Sequence, residues 1–105
     1  MENNCERTAS GSLVLTQDVV RFGGMQLLYS LSVREAVPSN CFEITVEKDD
    51  ETAVADAGDA LEFAYESYRQ IVGNLVTPCT LEDVMRDFEY YRINLQKTLY
   101  KRAFL

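Results

Sequence analysis

The chain has 105 residues, 47% of them hydrophobic and 26% charged, with a formal charge of −7. This length holds one hydrophobic core, and the composition is that of a globular domain, not a disordered one. The sequence has no histidine, which removes most imidazole chemistry and the commonest transition-metal ligand, and the acidic balance argues against broad attraction to nucleic acid or anionic membrane.

Residues Met1 to Ser12 are polar, small and without period, which predicts a disordered tail (1–12) ahead of a single domain (13–105). The opening Met1-Glu2-Asn3-Asn4-Cys5-Glu6-Arg7 lacks the basic-then-apolar order of a signal peptide. No apolar run approaches the ~20 residues that span a bilayer. A cytoplasmic location, without membrane contact, is the resulting expectation. Cys5, Cys41 and Cys79 are odd in number and far apart, which fits reduced thiols better than a disulfide framework.

Leu13 to Phe22 is rich in Val and Leu, and Gly23-Gly24 then offers the positive backbone angles of a two-residue hairpin turn. Val19 to Phe22 and Met25 to Leu28 should pair across it. Leu27, Tyr29, Leu31 and Val33 alternate with Ser30, Ser32 and Arg34, the pattern of a half-buried strand. After the break at Pro38-Ser39-Asn40, Phe42, Ile44 and Val46 alternate with Glu43, Thr45 and Glu47. Thr52 to Ala57 is a weaker strand candidate because alanine is a poor strand former. Three to four strands with short links form an antiparallel meander with one apolar face.

Gly58-Asp59 opens a helix with Asp59 as N-cap, and Leu61, Ala64, Tyr65, Tyr68, Ile71, Val72 and Leu75 keep helical spacing up to a stop at Gly73-Asn74. Pro78 enforces a turn. Thr80 then caps a second helix, Glu82 and Asp83 suit its positive end, and Cys79 and Val84 have the spacing of a hydrophobic staple. Leu81, Val84, Met85, Phe88, Tyr91, Leu95 and Leu99 form its apolar stripe. The fold class is therefore α+β: an antiparallel meander with two C-terminal helices packed on one face.

The run Val76-Thr77-Pro78-x-Thr80-Leu81-x-Asp83-Val84-x-x-Asp87-Phe88, preceded by strands containing Tyr29 and Ile44, resembles a small uncharacterised family of clostridial and related Firmicute proteins, a domain of unknown function. The resemblance covers about Met25 to Phe88. It departs at Arg86, where members carry an acidic residue, and in the continuation past Phe88 to Leu105. It implies a bacterial cytoplasmic protein and supplies no catalytic residues.

Cys79 is the one residue that tempts a catalytic reading, since a thiol near a helix N-terminus can be activated by the dipole. Glu82 and Asp83 oppose that effect and no histidine is present as base, so a packing role is preferred. Cys41 reads as an inert thiol. The acidic run Glu47, Asp49, Asp50, Glu51 lacks the glycine and twelfth-position glutamate of a calcium loop and reads as a solvated turn. Gly23-Gly24 belongs to no phosphate-binding motif. No residue is assigned to catalysis, a cofactor or a metal.

The last helix, about 81–103, would run ~30 Å at 1.5 Å per residue, longer than one sheet face needs. Charge is also split: Lys48 is the only cation from Glu35 to Glu66, whereas Arg92, Lys97, Lys101 and Arg102 are the only charges beyond Glu89. Tyr91, Arg92, Leu95, Leu99, Tyr100 and Arg102 are accordingly the candidate interface. The expectation is a non-enzymatic protein-interaction module that self-associates through this helix as a homo-oligomer. The alternative is nucleic-acid or regulator binding through its cations, with tyrosines available to stack.

Overall fold

A computed structural model describes residues 12–37 and 39–90. Four strands, β1 (Ser12–Phe22), β2 (Met25–Arg34), β3 (Cys41–Lys48) and β4 (Glu51–Asp56), form one antiparallel sheet in the order β1-β2-β3-β4. Helix α1 (Leu61–Gly73) follows, then a 3-10 turn (Pro78–Thr80) that runs into a second helix, α2, described over 81–90. This is the α+β arrangement expected, with both helices on one face of the sheet. The expected tail lies outside the described residues except for Ser12, which begins β1.

The first hairpin turns on Gly23 (φ 56°) and Gly24 (φ 82°). Positive φ at both central residues is what a type I′ turn needs, and its twist matches that of the strands it joins. From Phe22↔Met25 the pairing runs well past the segment expected from sequence, to Ser12↔Arg34. Leu15 is the extra residue where the register shifts between Val14 and Thr16, a bulge on the edge strand. The β3–β4 turn places Asp49 at φ 55°, one of the few residue types that accepts left-handed geometry.

The alternation read from β2 and β3 sets the core. Leu27, Tyr29, Leu31, Ile44 and Val46 are all buried, and the pairs Leu31↔Ile44 and Tyr29↔Val46 set them side by side. The weak strand candidate is a genuine β4, and its alanines have a function. Ala53 pairs with Val46 and Ala55 with Ile44, so the small residues lower the floor under the chain that crosses above. The ladder continues past Asp56 through Ala57 N–H to Phe42 O (2.7 Å) and Phe42 N–H to Gly58 O (2.8 Å).

On α1 the buried residues are Ala64, Ser67, Tyr68 and Ile71, the i, i+3, i+4, i+7 stripe of a helix lying on a sheet. Its N-cap is Ala60 and makes no side-chain cap bond. The expected cap, Asp59, instead accepts from Ser39 Oγ at 3.1 Å and ties the β2–β3 connection to the helix approach. At the other end Leu75 N–H donates to Val72 O (3.2 Å) and Val76 N–H to Ile71 O (3.1 Å). This is a Schellman closure with Leu75 (φ 55°) in the left-handed position that glycine usually fills. Burial of Ile71 and Val76 supplies the apolar contact that accompanies such a closure.

The proline corner differs from expectation in one respect. Thr77 is extended (φ −97°, ψ 165°) and helical turns begin at Pro78, earlier than a Thr80 cap would place them. The Thr80 hydroxyl turns back to Thr77 O at 3.3 Å. Cys79 is exposed, so it makes no staple with Val84; Val76, Pro78 and Leu81 are the buried side chains at the corner. A 3-10 turn rotates successive side chains differently from an α-turn, which moves Cys79 outward.

Two phenols lock the helical layer to the sheet. The buried Tyr29 hydroxyl donates to Val76 O at 3.0 Å, linking β2 to the segment after α1. Tyr68 Oη lies 2.6 Å from Asp18 Oδ2 and 3.3 Å from Tyr29 O, linking α1 to β1 and β2. Burial raises the pKa of Tyr29, and burial followed by the hydrogen bond to Asp18 raises that of Tyr68. Tyr29→Phe, which orphans the buried Val76 carbonyl, should cost about 1–3 kcal/mol, read as a lower denaturant midpoint. Both phenols stay protonated in the fold above the ordinary value of 10.0, whereas unfolded tyrosines ionise there. Their contribution is thus whole below about pH 10 and lost as pH rises further. Denaturation followed from about pH 9 to pH 12 should show wild-type stability falling over that window and Tyr68→Phe falling less steeply.

Candidate functional site

The thiols were the first candidates from sequence. Cys41 opens β3 and is partly buried, and its Sγ donates to Asp56 Oδ1 at 3.2 Å. Burial first, then the hydrogen bond and charge of Asp56, raise its pKa; Arg34 acts in the opposite sense. A thiol held in its protonated form is a weak nucleophile. Cys79 is exposed on the proline corner with its sulfur 3.5 Å from Thr77 Oγ1. The acidic run from Glu47 to Glu51 forms the end of β3 and the β3–β4 turn. Among the described residues no group of three or more Cys, Asp or Glu is placed to hold a metal ion. Nor is any helix there long and apolar enough to cross a membrane.

A concave feature of the described surface lies beside β4. The end of β4, with Gly58 beyond it, faces the first turns of α2 across a cleft of about 470 Å³ lined by Val54, Ala55, Asp56, Gly58, Glu82, Met85, Arg86 and Glu89. The fold makes this space because β4 carries alanine where β3 carries valine and isoleucine, and the 3-10 turn rests on β3 and β4. Ala55 and Met85 are buried and give the cleft an apolar floor. Its rim carries Asp56, Glu82 and Glu89 against one cation, Arg86, which is drawn to Asp83 at 3.0 Å. Asp56 also accepts from Gly58 N–H at 2.8 Å. An apolar floor under an acidic rim suits a lysine or arginine side chain, whose stem lies on the floor while its head meets carboxylates.

The acidic run from Glu47 to Glu51, which reads from sequence as a solvated turn, is not part of this rim, and the rim itself was missed. The available signal was Glu82, Arg86 and Glu89 at i, i+4, i+7, one face of one helix. Asp56 could not be joined to them without knowing that β4 and α2 are neighbours. The candidate interface residues Tyr91, Arg92, Leu95, Leu99, Tyr100 and Arg102 all lie outside the described residues. Comparison of the chain with protein-family models, with curated proteins and with solved structures finds no match.

The two described thiols should behave differently. In the folded protein, iodoacetamide followed by peptide mass spectrometry should modify Cys79 faster than Cys41, and Asp56→Asn should narrow the gap by removing the charge beside Cys41.

Proposed function

We propose that the chain is a non-enzymatic cytoplasmic protein-interaction module that self-associates through its last helix. One observation carries the reading: charge is partitioned along the chain. Residues 12–90 hold fifteen acidic side chains and five basic ones, whereas 91–105 hold four basic side chains and no acidic one. The first turns of α2 bury Leu81 and Met85 and half-bury Val84 and Phe88 against the core. In the sequence the same apolar spacing continues through Tyr91, Leu95 and Leu99 beside Arg92 and Arg102. A cationic, apolar segment on one copy is matched by the acidic cleft of another, and opposite charge of this kind steers and orients association. The same acidic body disfavours the nucleic-acid alternative, because it repels the phosphate backbone that the four cations would bind.

Sedimentation of the full chain against Leu95→Asp/Leu99→Asp tests the reading. The double variant should form an assembly with at most half the subunits of the wild type. Raising salt from about 50 mM to 500 mM should weaken the wild-type assembly by screening. Equal subunit numbers for the two proteins contradict the proposal.

A further inference from the structure

We infer that β1 is a second association surface, on which a second copy of this chain adds its own β1 antiparallel about a two-fold axis at Val19, giving one sheet continuous through both copies. The residues that carry it all belong to β1, so neither reading rests on the other.

Among the described residues β1 is an edge, paired on one side only, with β2. It is eleven residues long and contains neither the proline nor the lysine with which edges are commonly blunted. Its exposure is unusual for an edge. Leu13, Val14, Leu15, Val19 and Phe22 are between 43% and 61% exposed, and five large apolar side chains on one open strand are an invitation to pairing.

The geometry selects a copy of the same strand as occupant. Phe22 and Met25 flank a two-residue loop, so they exchange both backbone hydrogen bonds, and the pattern then alternates down an antiparallel ladder. Thr16, Asp18, Val20 and Phe22 therefore spend their N–H and C=O groups on β2. Those of Gln17, Val19 and Arg21 point away from it, to the open edge. The bulge at Leu15 ends this regular segment on one side and the Gly23-Gly24 turn ends it on the other. Thr16–Phe22 is thus an unbroken seven-residue segment centred on Val19. Placed against itself about that centre, it pairs Val19 with Val19 and Gln17 with Arg21, matching every outward donor with an outward acceptor in about six backbone hydrogen bonds.

Charge picks the same register. Asp18 and Arg21 are the only charged residues of β1. With Val19 on the axis, Asp18 opposes Val20 and Arg21 opposes Gln17, whose amide oxygen can accept from the guanidinium. Arg21 Nε already donates to Gln26 Oε1 at 3.0 Å, which sets the side chain along the same sheet face. Sliding the pair by one step on either side is worse: one slide opposes Asp18 to Asp18, which is repulsive, and the other opposes Arg21 to Val19. Apolar exposure on the helical layer continues the surface. Leu61 and Tyr65 of α1, 53% and 50% exposed, share the stripe of Tyr68, the residue that reaches over to β1.

The test uses the full chain and sedimentation over a range of concentrations. Wild type is compared with Val19→Lys, Val19→Pro, Gln17→Glu and, as control on the opposite edge, Thr52→Lys, each checked for its thermal melt. Val19→Lys sets like charges on the axis, and Val19→Pro removes a donor that the single copy does not use, so the latter keeps the fold even if the former does not. Both should weaken association at least tenfold. Gln17→Glu should tighten it by opposing Arg21, and Thr52→Lys should leave it unchanged. Folded Val19→Pro that associates like wild type, or a Gln17→Glu that gives no tightening, overturns the inference. A loss with Leu95→Asp/Leu99→Asp alone leaves the helix reading standing and the strand pairing refuted; a loss with the Val19 variants alone does the reverse.

Discussion

A four-stranded meander has one face to bury, and the layer that covers it must be fixed along the strands as well as pressed onto them. Apolar contact accomplishes the second and is nearly indifferent to the first, since a helix can slide over leucine and isoleucine at little cost. The hydroxyls of Tyr29 and Tyr68 remove that freedom. Each reaches a particular oxygen, Val76 O for one and Asp18 Oδ2 with Tyr29 O for the other. A displaced helix would bury those groups unpaired, which costs more than the hydrogen bonds contribute when made. The partners span the fold, so two side chains hold β1, β2, α1 and the proline corner in a single register.

That anchoring divides the sheet. α1 covers β2 and β3 and reaches β1 through Tyr68, while the 3-10 turn rests on β3 and β4. On the β4 side, alanines let the chain come close and leave a cleft with acidic walls. On the β1 side, the exposed Asp18 is held by Tyr68 on the face that carries the helices, so a charge that commonly protects an edge is already engaged. The open edge of β1 is left with exposed apolar side chains and a regular segment from Thr16 to Phe22. Both surfaces proposed for association are therefore by-products of how the core is closed.

Much of this was legible in the sequence, and the failures have physical causes. β2 and β3 could be read because their inward residues are large and apolar and their outward ones polar. β1 could only be read in part: its inward face carries Thr16 and Asp18, and Leu13-Val14-Leu15 runs through a bulge, so no clean period survives. β4 looked weak because its inward residues are alanines, chosen for closeness and not for strand preference. Asp59 and Thr80 had the right side chains for caps, but each is engaged by a residue elsewhere in the chain or on the turn, Ser39 in one case and Thr77 in the other. The Asp18–Tyr68 bond joins residues fifty positions apart, and neither the acidic rim nor the self-matching of β1 about Val19 follows until register and neighbours are known.

The described body is small and acidic, with fifteen acidic and five basic side chains over residues 12–90. Alternate residues of β1 turn their backbone donors and acceptors to an open edge, and that alternation can be observed directly. Amide hydrogen exchange along β1, followed by NMR at low and high protein concentration, measures it residue by residue. The account predicts that Thr16, Asp18, Val20 and Phe22 are protected at both concentrations, and that Gln17, Val19 and Arg21 exchange fast when dilute and become protected when concentrated. Fast exchange at Gln17, Val19 and Arg21 at every concentration, or protection that does not alternate along the strand, would contradict it.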